Sequence, residues 1–289
     1  KENDLAEAGY QNDVLVSTSY GGVMHLSDIV EKPIFLVKSG PAMAPIAGKA
    51  YVSAENLDDN IIVCDAGGTT FDVSLVRDGT IEFSRDTWLG PRWMGDNLGM
   101  ASVAVHSIGA GGGSIAWVDS GGLLRVGPQS AGSEPGPACY GLGGTSPTVT
   151  DAAVILGYID PAHFLGGRMN LDHKAAHDAI AELGEVLGQS VDKTAFAIMA
   201  VANENMIEAI KELTINEGIN PAESTLVAGG GAGGLGIVPI ANELGCKKIL
   251  VPRTAGALSA SGMQFSDIIT EAGASKLTTT DNFDFEGVK

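Results

Sequence analysis

Ile61-Ile62-Val63-Cys64-Asp65-Ala66-Gly67-Gly68-Thr69-Thr70-Phe71-Asp72-Val73-Ser74 decides how this chain is read. Four apolar residues in a row, three of them β-branched, predict a buried strand. Alternation resumes from Phe71 to Val76, and Arg77-Asp78-Gly79-Thr80 carries an Asp-Gly hairpin turn before Ile81 to Phe83 returns. The acidic, glycine-rich stretch therefore falls at a bend between two strands, not ahead of a helix. A carboxylate at a strand end followed by Gly67, Gly68, Thr69 and Thr70 gathers several backbone N–H groups and two hydroxyls at one point. Glycines allow close approach, and exposed N–H groups bind phosphate oxygens. Asp65 would not touch phosphate itself; it would hold Mg²⁺ or its waters, or orient an attacking water. A plain Asp-Gly turn without function has the same local sequence.

Upstream, Val14-Leu15-Val16 and Ile34-Phe35-Leu36-Val37 read as short buried strands. Ser39-Gly40-Pro41 then leads into an Ala-rich helix ending near Ala54, with Ser39 the N-cap candidate. Downstream, residues 103–150 are dense in glycine, with short strands at 114–118 and 123–126 joined by Asp119-Ser120-Gly121-Gly122. Helices are predicted over 151–156, 173–187 and 193–217, the last stopped by Gly218 with Pro221 soon after. Thr225-Leu226-Val227-Ala228 is a strand, followed by Gly229-Gly230-Gly231-Ala232-Gly233-Gly234, a helix to Leu244, a strand at 248–251 and a small-residue helix over 256–265. Gly229, Gly231 and Gly234 have the spacing of a dinucleotide fingerprint, yet Val251-Pro252-Arg253 stands where that motif wants an acid. A bare-backbone platform for an adenosine fits better; close helix–strand packing would need the same glycines.

Composition narrows the function. Seventeen Lys and Arg against 35 Asp and Glu leave a net charge of -18, and only 6% of residues are aromatic. Neither a phosphate-backbone surface nor a base-stacking platform is compatible with that balance, so no nucleic-acid partner is expected. Forty glycines in 289 residues is about twice the usual share. Cys64, Cys139 and Cys246 are far apart and make no disulfide framework or metal knuckle. No apolar run approaches the ~20 residues of a membrane span, and Lys1 opens no signal-peptide pattern. A soluble, cytoplasmic protein is expected. Lys1-Glu2-Asn3-Asp4 and the polar stretch 271–289 suggest part of a longer polypeptide.

The order strand, Asp-Gly-Gly-Thr hairpin, long helix, strand, triple glycine, helix resembles the second half of actin, chaperone and sugar-kinase ATPases. There the first loop holds phosphate and the second adenosine; Thr254-Ala255-Gly256-Ala257 matches the connection near the hinge. Longer runs resemble one family more closely. Ser107-Ile108-Gly109-Ala110-Gly111-Gly112-Gly113-Ser114-Ile115-Ala116-Trp117 is similar to the signature of the hydantoinase A/5-oxoprolinase family. So are Gly127-Pro128-Gln129-Ser130-Ala131-Gly132, Pro135-Gly136-Pro137-Ala138-Cys139-Tyr140-Gly141, Thr148-Val149-Thr150-Asp151-Ala152 and Phe164-Leu165-Gly166-Gly167. Ser39-Gly40-Pro41-Ala42-Met43-Ala44-Pro45 and Thr87-Trp88-Leu89-Gly90 most resemble the ATP-binding subunit of acetone and acetophenone carboxylases.

The resemblance implies an α/β fold, an actin/Hsp70-like (ribonuclease H-like) ATPase lobe with a glycine-rich β insertion. The expected divisions are 1–60 for the start of the lobe, 61–102 for the phosphate hairpin and 103–170 for the insertion. Residues 171–270 would hold the helical segment, adenosine loop and closing helix, and 271–289 a surface tail. It implies ATP and Mg²⁺, or another divalent metal, as cofactors. Gly67, Gly68, Thr69 and Thr70 would bind phosphate, Asp65 would be catalytic, and Gly229, Gly230, Gly231 and Gly233 would bind adenosine. Glu204, Glu208 and Lys211 share a helix face; Glu208 and Lys211 are the ribose candidates, with an exposed ion pair the plainer alternative. The implied activity is a ketone carboxylase using acetone or acetophenone with bicarbonate, alternatively a cyclic amide hydrolase of the N-methylhydantoinase/5-oxoprolinase type, or a non-catalytic nucleotide-binding lobe. Family members carry a first phosphate loop upstream, and none precedes Asp65. The missing N-terminal lobe and a second catalytic subunit are the expected partners in a hetero-oligomer, and the isolated chain should hydrolyse ATP poorly.

Remaining candidates have ordinary alternatives. His106 and Asp119 are named as a metal or acid/base pair, against a structural histidine and a turn aspartate. His163, His173 and His177 lack zincin spacing and are expected on solvated surface. Cys139 is expected to be a small packed residue rather than a nucleophile, and Asp151 an N-cap rather than a site carboxylate.

Overall fold

The computed structural model describes residues 2–90, 93–271 and 276–288. Lys1 and part of the expected surface tail lie outside the described residues. The strands that matter for the site are β1 (Ile61–Ala66), β2 (Phe71–Arg77), β3 (Thr80–Ile81), β4 (Val105–Ile108), β5 (Ser114–Val118), β6 (Leu124–Ser130), β7 (Thr225–Gly229) and β8 (Lys248–Leu250). The helices are α1 (Ala44–Ala54), α2 (Val149–Ile155), α3 (His173–Leu187), α4 (Val191–Glu217), α5 (Gly233–Leu244) and α6 (Leu258–Gly262).

The main sheet runs β4-β2-β1-β7-β8, with β3 on the far end of β2. β1 is antiparallel to β2 and parallel to β7, so it sits where the sheet changes direction. Its continuous apolar run follows from cover on both faces. Ile62 and Cys64 join Phe71, Val73 and Leu75 against Ile207 and Ile210 of α4 and Ile237 and Ile240 of α5. Ile61 and Val63 face the other way, onto Ala44, Ala47 and Val52 of α1 and Leu258 of α6.

A second core lies beside the first. The β5–β6 hairpin does not extend the main sheet; it packs with α2 and α3 on the first half of α4, around Ala116, Val126, Ile180 and Ile198. The 27-residue α4, about 40 Å long, thus ties both cores together. No helix among the described residues is long and apolar enough to cross a membrane.

Several local expectations need correction. Residues 34–37 are not a strand: Pro33–Leu36 is a 3-10 turn with only Phe35 buried. A four-residue apolar run has no period of its own, and Pro33 presets the turn's φ. Ser39 is not a helix cap either, because the 3-10 turn Pro41–Met43 intervenes before α1. The small-residue helix shortens to a 3-10 turn, Ala255–Ala257, and α6. Within the stretch assigned to the insertion, β4 is an edge strand of the main sheet, paired with β2 from Val105 to Ile108.

Candidate active site

Asp65 ends β1, opposite Asp72 of β2 and beside Gly229 of β7 in the ladder. The following turn is closed by Gly67 N–H donating to the Thr70 carbonyl at 2.9 Å. Gly68, Thr69 and Thr70 are exposed, and their N–H groups have no acceptor among the described residues. Asp65 is half-buried, and its Oδ2 accepts from Ser259 Oγ at 2.6 Å. Burial pushes the Asp65 carboxyl above the usual range, with the Ser259 bond opposing. Asp72 is raised as well, by burial first and by Asp65 in part, while its bond from Ser107 Oγ and the charge of Lys38 act the other way.

The glycine loop after β7 reaches this carboxylate. Gly230 adopts φ +81°, and a Cβ there would lie 2.1 Å from the Ala66 carbonyl and 2.6 Å from Asp65 Oδ1. Only glycine fits both the conformation and the space. Its N–H donates to the Ala255 carbonyl at 2.8 Å, and Ala232 N–H donates to the Ala66 carbonyl at 2.9 Å. Gly229 is pressed against Leu258, and Gly233 opens α5 as a buried residue. Gly231 and Gly234 have open space where a side chain would be and present bare backbone to solvent. The two loops singled out in the sequence, 164 residues apart counted from Asp65 to Gly229, therefore meet at the ends of two neighbouring central strands, with the connection into α6.

A third glycine segment, from the family signature, clamps the hairpin. Gly112 N–H donates to the Gly67 carbonyl at 3.1 Å and Gly113 N–H to the Gly68 carbonyl at 2.7 Å. A Cβ on Gly111 would stand 2.7 Å from the Gly67 carbonyl oxygen. Thr150 anchors this clamp, its N–H and hydroxyl both donating to the Gly112 carbonyl, at 2.8 and 2.7 Å. With the Gly67 and Gly68 carbonyls engaged, the turn is held by acceptors while donors at 68–70 stay available.

Other candidates are placed apart from this point. Lys211 Nζ lies 3.6 Å from both Glu208 Oε1 and Glu243 Oε1, linking α4 to α5. An open groove of about 580 Å³ between those helices is lined by Phe196, Asn203, Glu204, Leu235 and Val238, with Tyr158 at its side. Glu204 lines it; Glu208 and Lys211 do not. His106 Nε2 is 4.0 Å from Glu212 Oε2. Asp119 caps the β5–β6 turn, accepting from Gly121 and Leu123 N–H and from Arg125 Nε at 2.8 Å, which holds its carboxyl below the usual range. His106 and Asp119 thus have separate partners, and no group of three or more His, Cys, Asp or Glu is arranged for a metal among the described residues. His173 and His177 are exposed on α3.

Asp151 is fully buried but is not the N-cap. Thr148 caps α2, and Asp151 at the third helical position completes a capping box. Its carboxylate also accepts from Cys139 N–H at 2.7 Å and Ala138 N–H at 3.3 Å. Cys139 is packed among Val154, Leu171 and Ala176, and burial pushes its thiol up, away from nucleophilic use. Ser107 and Thr150 stand in the signature runs but were given no role there, and Ser259 was not singled out: no local pattern marks a residue whose partner is remote in the chain.

Comparison with known proteins agrees with these motifs. The model of the Hydantoinase/oxoprolinase family matches residues 2–272. The alpha subunit of caprolactamase from Pseudomonas jessenii is 40% identical over 263 residues, 91% of this chain and 37% of that protein. The gamma subunit of acetophenone carboxylase from Aromatoleum aromaticum is 38% identical over 267 residues, 92% of this chain and 35% of that protein. A nucleotide-free acetone carboxylase structure superposes with a TM-score of 0.81 at 29% identity, covering 92% of this chain and 37% of the other. The ATP-dependent caprolactamase structure from Pseudomonas jessenii gives 0.79 at 38% identity, covering 92% and 38%. The chain spans less than half the length of these relatives. With its hairpin, clamp and glycine loop in place, the chain belongs to the hydantoinase/oxoprolinase family.

Proposed function

We infer that this chain is an actin-like ATPase lobe supplying half of the ATP-binding and phosphoryl-transfer site of a larger enzyme. One observation carries the reading: free N–H donors at 68–70, the Asp65 carboxylate and the bare loop at 230–231 converge at the ends of two neighbouring central strands. Phosphoryl transfer needs little covalent help from protein; it needs positioned donors and a place for compensating charge. Gly68, Thr69 and Thr70 would hold phosphate oxygens, and the loop at 229–233 would carry the adenosine. Asp65 Oδ1 has no donor among the described residues and faces Asp72 across the ladder, which suits a water-mediated hold on a divalent cation. Bound there, Mg²⁺ would neutralise charge on the phosphates. In the transfer, an acceptor oxygen forms a bond to the γ-phosphorus as the bond to the ADP oxygen breaks, and ADP leaves as the anion.

The favoured acceptor is an enolisable ketone, with bicarbonate as the carbon source, by analogy with the carboxylase relatives. The 40% identity to a caprolactamase subunit supports a second reading, in which the acceptor is the oxygen of a cyclic amide and bicarbonate plays no part. In both, the other phosphate loop and a second catalytic subunit come from outside this chain, in a cytoplasmic hetero-oligomer, and the isolated chain turns ATP over slowly. The deciding experiment is ATP turnover by the complete enzyme containing this chain. Stimulation by acetone or acetophenone, with carboxylated product only when bicarbonate is present, establishes the carboxylase. Stimulation by caprolactam, hydantoin or 5-oxoproline alone moves the protein to the hydrolase branch. Nucleotide binding without turnover under either regime leaves a non-catalytic lobe.

A further inference from the structure

Ser130 ends β6, opposite Ser114 at the start of β5. The backbone just beyond it is fastened to the glycine clamp, Ala131 N–H donating to the Gly113 carbonyl at 2.9 Å. Gly113 is itself squeezed between two loops: a Cβ there would lie 2.9 Å from the Gly68 carbonyl oxygen and 2.9 Å from Ser130 Oγ. Three segments thus stack with no room for a methyl group between them: the hairpin at 67–70, the clamp at 111–113 and the loop at 130–132. The stack brings Ser130 to the tip of the hairpin, where its Oγ stands 3.4 Å from Thr69 Oγ1.

The two hydroxyls do not satisfy each other. Ser130 Oγ accepts from Gly132 N–H at 3.1 Å, which leaves its own proton to be donated. Among the described residues Thr69 Oγ1 is the one acceptor within reach, and 3.4 Å is long against the usual O–H···O length of about 2.7–2.8 Å. A ligand oxygen lying between them at ordinary lengths accepts from both, alongside the free N–H groups of 68–70. Thr69 is exposed and Ser130 half-buried, so the pair is within reach of a ligand. Position along the hairpin indicates which phosphate this is. The glycine loop after β7 meets the hairpin at its base, through Ala232 N–H on the Ala66 carbonyl, whereas Ser130 meets it at the tip, at Thr69. A nucleotide with its adenosine on the glycine loop therefore brings its terminal phosphoryl group toward Ser130.

We propose that Ser130 binds the terminal phosphoryl group of ATP together with Thr69, so that the glycine-rich insertion lets this lobe tell ATP from ADP. The proposal rests on the phosphoryl-transfer reading. The test uses the complete enzyme with Ser130→Ala, Ser130→Thr and, as a control on that reading, Asp65→Asn. The probes are a non-hydrolysable ATP analogue and ADP, titrated by calorimetry, with thermal melting in parallel. Ser130→Ala should weaken the analogue about 10- to 100-fold, the scale of a hydrogen bond to a charged group. Its ADP affinity should stay within about twofold of wild type and its melting temperature should not fall, because the lost hydroxyl is exposed to water in part. Ser130→Thr, which keeps the hydroxyl, should recover most of the loss. Analogue affinity of Ser130→Ala within about twofold of wild type, alongside an inactive Asp65→Asn, would overturn the role of Ser130 and leave the site standing. Equal losses for the analogue and ADP would also overturn it, marking a residue that shapes the loop rather than one that meets the terminal phosphate. Normal turnover in Asp65→Asn would remove the phosphate reading and Ser130 with it.

Discussion

Asp65 and Asp151 are both carboxylates withdrawn from water next to glycine-rich signature loops, yet their surroundings differ in kind. Asp151 is completely inaccessible and accepts from Thr148 N–H, Thr148 Oγ1, Cys139 N–H and Ala138 N–H. Asp65 is half-buried and, among the described residues, accepts only from Ser259. A buried charge with every lone pair answered is a structural knot; one left with an open oxygen beside unpaired N–H groups is poised for a ligand. The contrast teaches that the two carboxylates differ both in depth and in the count of donors, and that the donor count is what leaves an oxygen of Asp65 open.

The largest test of that contrast is Asp65→Asn. In the complete enzyme it should lower ATP turnover about 10³- to 10⁴-fold, the scale of removing a preorganised electrostatic group. Stability should move the other way, with a sign set by burial. Because the folded Asp65 pKa is raised, its favourable contribution is full below the unfolded value near 4 and is lost as pH rises through the folded value. Asp65→Asn should therefore melt above wild type at pH 7, and the gain should vanish near pH 3.5 in parallel thermal scans. A mutant that is less stable at neutral pH would make Asp65 a second knot.

Asp151→Ala should do the reverse, with about 3 kcal/mol lost in urea unfolding as buried donors go unanswered. The part that remains folded should keep its ATP turnover. A loss of turnover without loss of stability would erase the distinction between the two carboxylates. Gly230→Ala comes next, costing about 2 kcal/mol from backbone strain and crowding on Ala66 and Asp65. Turnover should fall with it, because the displaced atom is Asp65 Oδ1. Smallest is Asp119→Ala. Its partners are the turn it caps and exposed Arg125, so turnover should stay within about twofold of wild type. A large loss there would restore the metal candidacy of Asp119.

Much of the candidate site's local geometry was legible because its loops are local. The 65–70 hairpin and the 229–234 loop each carry turn chemistry within a few residues, and strand-like runs flank both. The Asp119 turn and the Gly218 cap, at φ +66°, could be read for the same reason. What escaped was non-local. The hold of Ser259 on Asp65, and of Thr150 on Gly112, joins residues whose separation leaves no mark on either neighbourhood. Residues 34–37 were misassigned because a run that short fits a strand and a 3-10 turn equally well. Glu208 and Lys211 share a helix face as expected, but which face meets the groove depends on where α5 packs.

The position of β7 has a consequence for the order in which this protein is made. It lies between β1 and β8 in the sheet but follows β1 by most of the chain. A chain emerging from the ribosome can pair β1 with β2 early, yet the other edge of β1 stays open until residue 229 has been synthesised. Asp65 gains its glycine neighbour only with β7 and its serine only with α6. The site proposed at Asp65 is thus incomplete before α6 is translated. The exposed strand edge over that interval is where chaperone protection would matter most.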